Sequence, residues 1–206
     1  TSTNAVAWTY RTSSGRSCFS KNGFASMSMT NPNRSARKIA LVIGSFGGGG
    51  TEYFLVRVLK NIDRTRFDPY VVVLDDSGPL RDEVHSLAPV YGVKLSGKLF
   101  NGQGLRELWR LRRWLRREGI DLVHTLIDRG TVFGSLAALL AGKRRIIASQ
   151  RITTTEYLGM SRVLITIYLF IIRHVAKHII PNSHAVEAWL VGKGIPRKRI
   201  TVVHNG

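Results

Sequence analysis

Four consecutive glycines, Gly47 to Gly50, stand between an apolar stretch, Ile39–Gly44, and a helix-like stretch, Tyr53–Ile62. Strand, glycine loop and helix in that order fit a cradle for phosphate, with a tight strand-to-helix turn that holds no ligand as the alternative. Glycine lets the backbone approach an anion closely, and the first N–H groups of the helix point at it. Two side chains elsewhere have the right type and setting to act on such a ligand. His124 lies toward the carboxyl end of the strand-like run LVHTL, and Gln150-Arg151 follows the strand-like run RIIAS. An arginine at a strand end pairs bidentately with phosphate or carboxylate; a salt bridge to a loop acid such as Asp128 is the alternative. For His124, a catalytic role and a hydrogen-bonded structural role both stay open.

The glycine loop departs from two familiar patterns. Gly44 and Gly49 have the Walker spacing, but Gly50 stands where the lysine belongs. No register of the loop supplies the third glycine of a dinucleotide fingerprint. The six histidines form no metal set. His174 and His178 are one turn apart, yet Pro181 follows and no carboxylate lies close in sequence. A charged His174 near a helix C-terminus is accounted for by the helix dipole.

These groups need a frame to hold them. Apolar runs and helical patterns alternate along the chain: strands at Lys38–Gly44, Tyr70–Leu74, Val93–Leu95, Leu122–Leu126, Arg145–Ser149, His178–Ile180 and Ile200–Val203. Helices fall at Thr51–Ile62, Leu105–Arg117, Thr131–Ala141, somewhere within Ser161–Val175, and at Ala185–Val191. Near-continuous apolar strands separated by helices predict an α/β fold, a Rossmann-like parallel sheet with helices on both faces. Ligands of such sheets bind beyond the carboxyl ends of the strands. That rule points to Gly44–Gly50, Asp75–Gly78, His124–Arg129, Ser149–Thr155, Pro181–His184 and His204–Gly206.

The 206 residues, 44% of them hydrophobic, suit one well-buried domain. A formal charge of +18 calls for anionic company: nucleic acid, acidic headgroups or phosphorylated substrates. A single cysteine, Cys18, excludes a disulfide framework and fits a reducing compartment. No acidic residue precedes Glu52, and the stretch up to Lys38 is rich in Ser, Thr and Asn without an apolar period. A transit segment, a disordered basic arm over residues 1–37, and sequence upstream of the native start all fit. The last is preferred, because Met27 and Met29 lie just ahead of the first strand. The most apolar run, Val163–Ile172, is about half the length of a bilayer span. The helix Leu105–Arg117 carries Leu105, Leu108, Leu111 and Leu115 on one face and arginines on the other. It reads as a crossover helix with a solvated arginine face. On an anionic bilayer, each basic residue near the surface would add about 1 kcal/mol.

The segments KIALVIGSFGGGGTE at 38–52, GIDLVHTLIDRGTVFGSLAALLAG at 119–142, RIIASQR at 145–151 and IIPNSHAVEAWLVGKGIPRKRITVVHNG at 179–206 together resemble the N-terminal domain of family 4 glycosyltransferases of GT-B architecture. The resemblance spans Lys38 to Gly206. It implies sugar transfer from a nucleotide-sugar donor to a glycan or lipid-linked acceptor, usually with retention and without a protein-bound metal or other cofactor. The family's Gly-Gly-x-Glu matches Gly49-Gly50-Thr51-Glu52. The resemblance assigns Gly48, Gly49, Gly50 and Thr51 to the donor diphosphate, Arg151 and His124 to catalysis, and Asp128, Arg129, Gln150 and Asn182 to the acceptor. The family's His-x-His is His124-Thr125-Leu126 here, and Arg151 stands where many members carry histidine. The chain ends where the nucleotide-binding second domain would begin, so the expectation is an acceptor-side half at 38–206, inactive without its missing C-terminal domain or a partner subunit. The expected location is cytoplasmic, peripheral at the inner face of the plasma membrane through the Leu105–Arg117 helix.

Two other classes compete. A dinucleotide-binding oxidoreductase is supported by the loop's position and by Asp75 or Asp76, which could hold a ribose. A basic membrane or nucleic-acid binding module is supported by charge. However, no zinc finger, RNA-recognition aromatic signature or basic zipper is present, and the charge is spread along the chain, so no nucleic-acid partner is expected.

Overall fold

A computed structural model describes residues 36–95, 99–151 and 161–204. The predicted arm therefore lies outside the described residues except for its last two positions, as do residues 152–155 and 205–206 of the expected strand-end loops. The elements run β1 (Arg37–Ile43), α1 (Gly50–Asn61), β2 (Phe67–Val73), α2 (Arg81–Leu87), β3 (Val90–Gly92), α3 (Gly102–Arg117), β4 (Leu122–Leu126), α4 (Asp128–Leu140), β5 (Ile146–Gln150), α5 (Arg162–Phe170), a π-helical turn (Ile171–Val175), β6 (His178–Pro181) and α6 (His184–Gly192). The strands form a wholly parallel sheet in the order β3-β2-β1-β4-β5-β6. This is the expected Rossmann-like arrangement. The order reverses between β1 and β4, which opens a crevice at their carboxyl ends.

Continuous apolar strands are what a two-sided sheet requires. All five residues of β5 are buried, as are Ala40 to Ile43 of β1. Alternate strand positions feed two cores. Ala40, Val42, Val72 and Val123 meet α3, α4 and the π-helical turn, whereas Leu41, Ile43, Val71 and Val73 meet α1 and α2. Small residues bring α4 close to the sheet. A Cβ on Gly134 would come within 2.9 Å of Val42 Cγ1 and 3.1 Å of Thr125 Cγ2. Only glycine permits that approach.

The structure moves several element boundaries. β2 starts at Phe67 rather than Tyr70, despite Pro69. Val71 N donates to Pro89 O, so the nitrogen of residue 69 faces the same side, beyond the start of β3, where no ladder bond is lost. The third strand lies at Val90–Gly92, not Val93–Leu95, because β2 sets its register. Helix α2 is an addition to the expected elements: it has seven residues, no side-chain cap and only Val84 buried, which leaves no periodic signal. In place of a strand at Ile200–Val203, an extended segment runs along β6. It is joined by the Ile179–Ile200 bridge and by Thr201 N to Ile179 O (3.1 Å) and Val203 N to Pro181 O (2.8 Å).

Candidate functional site

The glycine loop meets the crevice with its backbone exposed. Gly48, Gly49 and Gly50 are open to solvent, while Thr51 is 6% exposed. The first intrahelical bond of α1 is Tyr53 N to Gly49 O (3.2 Å), so the N–H groups of Gly50, Thr51 and Glu52 have no intrahelical acceptor. Behind the loop, Phe46 is fully buried. Its N–H donates to Ser77 O (2.9 Å), and its carbonyl accepts from Leu80 N (3.2 Å). Gly78 makes this possible with φ +121°; a Cβ there would lie 2.2 Å from Phe46 O. The loop after β2 thus braces the loop after β1.

Glu52 turns back over the loop. Its Oε2 lies 2.7 Å from where a Cβ on Gly49 would stand, and its carboxylate complements the positive end of α1. Arg151 approaches the same helix from β5, with its Cζ 3.8 Å from the centroid of the Phe54 ring. Burial pushes the Arg151 guanidinium down to about 10, opposed by the charge of Glu52. It remains a cation at neutral pH. The alternative pairing with Asp128 concerns a side chain outside the described set.

His124 and Ser149 face each other across β4 and β5, with Nε2 2.9 Å from Oγ. Burial, reinforced by the charge of Arg151, lowers the His124 pKa to about 4. The imidazole is therefore neutral at physiological pH, suited to hydrogen bonding and not to proton donation. Immediately after β4, Ile127 takes φ +66°, the positive-φ non-glycine residue among those described. Backbone strain of this kind gathers at ligand sites. It sets the start of α4 at Asp128 and leaves Arg129 exposed.

The remaining expected residues separate. Asn182 follows β6, and its Oδ1 is buried with no hydrogen-bond partner among the described residues. A buried acceptor in that state is an opening for a ligand donor. Gln150, expected at the acceptor, is 1% exposed, and its Oε1 accepts from the Tyr168 hydroxyl inside the core. Sequence reasoning missed Glu52 and Phe54 as parts of the site, and gave Ser149 and Ile127 no role beyond their place in the strand-end loops. The Gly-Gly-x-Glu pattern was a signal for Glu52; the other three depend on contacts or dihedrals that sequence spacing does not encode. Asp76, a candidate ribose acid, is held by His85 Nε2 (2.9 Å) and Arg81 (3.3 Å). No cluster of three potential metal-binding side chains occurs among the described residues.

Residues 48–206 match the family model described as Glycosyltransferase Family 4. No curated protein sequence matches the chain. Among solved structures, the fold is similar to Anabaena HepE in complex with UDP and glucose (TM-score 0.66, 17% identity, 83% of this chain and 45% of that chain). It is also similar to Acinetobacter baumannii MurG (0.58, 14%, 82% and 46%). A third likeness is to the UDP-GlcNAc 2-epimerase of Methanocaldococcus jannaschii (0.59, 17%, 82% and 45%). The chain spans about half the length of these structures. At such identities the likeness concerns the fold, which is shared here by proteins of different activities.

Proposed function

The chain belongs to Glycosyltransferase Family 4, and from that premise we propose that it is the acceptor-side half of an enzyme transferring a sugar from a nucleotide-sugar donor to a glycan or lipid-linked acceptor. The observation that carries this reading is the exposed glycine loop at the sheet's switch point, with unbonded helix N–H groups and the Arg151 cation beside the same helix. In transfer, the bond between the anomeric carbon and the diphosphate oxygen breaks, and the leaving nucleoside diphosphate keeps the electron pair. The acceptor oxygen forms the new bond and passes its proton to the departing diphosphate oxygen. Backbone N–H groups of Gly48 to Thr51 stabilise the charge growing on the diphosphate, because they are already oriented when it appears. Arg151 adds a full charge there. His124, neutral and held by Ser149, positions the acceptor hydroxyl by hydrogen bonding. Arg129 and Asn182 serve the acceptor side, to which the family resemblance also assigns Asp128; Gln150 supports the floor.

The complementary nucleotide-binding domain belongs to this proposal as a partner. So does an anionic membrane surface at α3. Among the described residues no helix is long and apolar enough to cross a membrane. The crossover helix packs as expected through Leu108, Leu111 and Leu115, but Leu105 is 51% exposed and Trp109 50%. Arg112 and Arg116 do not simply face solvent: their Nε atoms donate to Leu140 O (3.0 Å) and Ala141 O (3.1 Å), capping α4.

Titration calorimetry with UDP- and GDP-sugars, and with NADH, tests the reading. Binding of a nucleotide sugar that is lost in Arg151→Ala is the expected result. Tight NADH binding with no response to any nucleotide sugar, even with a donor domain supplied, overturns it.

A further inference from the structure

On the face of the sheet opposite α1, the β3 edge and α3 enclose a hollow of about 400 Å³ lined by Tyr91, Trp114, Arg110, Arg113 and Arg117. The three arginines follow one another at intervals of three and four residues, so they share one side of the helix. The floor is aromatic: the Tyr91 and Trp114 rings lie 4.9 Å apart, and Tyr70 meets Trp114 edge-on at 5.8 Å. Arg110 is paired with Glu107 (2.5 Å) and Arg117 with Glu118 (3.0 Å). Arg113 has no carboxylate partner among the described residues. The hollow therefore holds three guanidinium groups against two carboxylates. A cationic surplus beside aromatic rings attracts an anion that offers acceptor oxygens.

The hollow does not stand alone. Leu105 and Trp109 project from the next strip of the same helix, and Arg112 stacks on Trp109 with its Cζ 4.7 Å from the ring centroid. Exposed Leu139 and Leu140 end α4, where Arg112 and Arg116 hold its last carbonyls. Exposed aliphatic and tryptophan side chains beside an arginine-lined hollow match the boundary between acyl chains and phosphate headgroups. We infer that this hollow binds the phosphate of an anionic lipid headgroup, with Arg113 as its central contact. The inference rests on the membrane part of the function proposed above and gives that surface a specific ligand site. Free phosphate esters share the same chemistry, and the test separates the two sources.

The experiment is vesicle sedimentation of the full chain on phosphatidylcholine alone and on phosphatidylcholine mixed with phosphatidylglycerol. Binding to the mixed vesicles only is expected. Arg113→Gln should weaken it about tenfold, the worth of a charge-assisted hydrogen bond. Arg106→Gln, on the same helix but outside the hollow, should change it less than about twofold, as a dispersed surface charge does. Leu105→Ser with Trp109→Ser provides a second arm and should weaken binding through lost insertion, with the thermal midpoint recorded for every variant. Equal losses for the Arg106 and Arg113 variants overturn the hollow as a site while leaving a general basic surface. Unchanged binding in Arg113→Gln at an unchanged midpoint overturns it too. Saturable binding of glycerol phosphate with no vesicle association overturns the lipid source. Nucleotide-sugar binding should be unaffected by Arg113→Gln, so failure here is distinguishable from failure of the transfer reading.

Discussion

The guanidinium of Arg151 sits over the Phe54 ring with its Cζ 3.8 Å from the centroid, tying the end of β5 to the first turns of α1. This contact joins two elements that lie on opposite sides of the switch point. Phe54 offers the cation a face that needs no counter-charge, while Glu52 on the same helix supplies one nearby. The charge is thereby held near the glycine loop without being fully neutralised.

Replacing Arg151 by Lys keeps the charge but removes the planar fork and most of the stacking. Nucleotide-sugar affinity should fall about tenfold in Arg151→Lys and further in Arg151→Ala, read by calorimetry. Equal affinity in wild type and Arg151→Ala would remove Arg151 from the donor site.

Glu52 sets a negative charge beside Gly49, where the diphosphate is proposed to bind. Glu52→Gln should raise pyrophosphate affinity several-fold, since like charges near a surface cost about 1 kcal/mol or more at contact distances. The same change should lower stability by about 0.5 kcal/mol through the lost interaction with the α1 dipole. Weaker pyrophosphate binding in the variant would contradict the placement.

Gly78→Ala should be severe. The residue combines φ +121° with a Cβ position 2.2 Å from a backbone oxygen, so no side-chain rotation relieves the clash. A loss of about 3 kcal/mol or more is expected from urea unfolding. A midpoint within experimental error of wild type would refute the bracing of the two loops.

Stability should decline on mild acidification. The His124 pKa is depressed in the folded state to about 4, so the unfolded chain binds the proton first as pH falls from about 6.5. The unfolded state then carries more protons than the folded one, and unfolding free energy drops across that window, levelling off below about 4. The loss from this residue is on the order of 3 kcal/mol at most. His178, lowered by burial and by Arg199, acts in the same direction. Denaturant unfolding between pH 7 and 4 in wild type and His124→Gln checks this: the variant should show the shallower dependence.

Much of the fold was readable because its signals are local. Continuous apolar runs such as IALVI and YVVVL demand burial on both faces, and the glycine loop followed by a periodic helix marks a strand-to-helix turn. Helix α2 was invisible because a short helix with one buried residue has no period to read. The third strand was misplaced, and Ile200–Val203 lies beside β6 as an extended segment short of a full strand, because edge pairing depends on the neighbour's register, which a strand's own residues do not specify.

The candidate site divides in the same way. Residue type and spacing alone determined a parallel α/β sheet, a glycine loop between its first strand and helix, and the two strand-end groups His124 and Arg151. Tertiary structure alone decided what those groups are: His124 neutral against Ser149, Arg151 stacked on Phe54, Gln150 turned inward to Tyr168, and arginines of α3 split between capping α4 and lining an aromatic hollow. A pKa and a side chain's partner are set by burial and by charges from strands far apart in sequence, and these exist only once the sheet has brought them together.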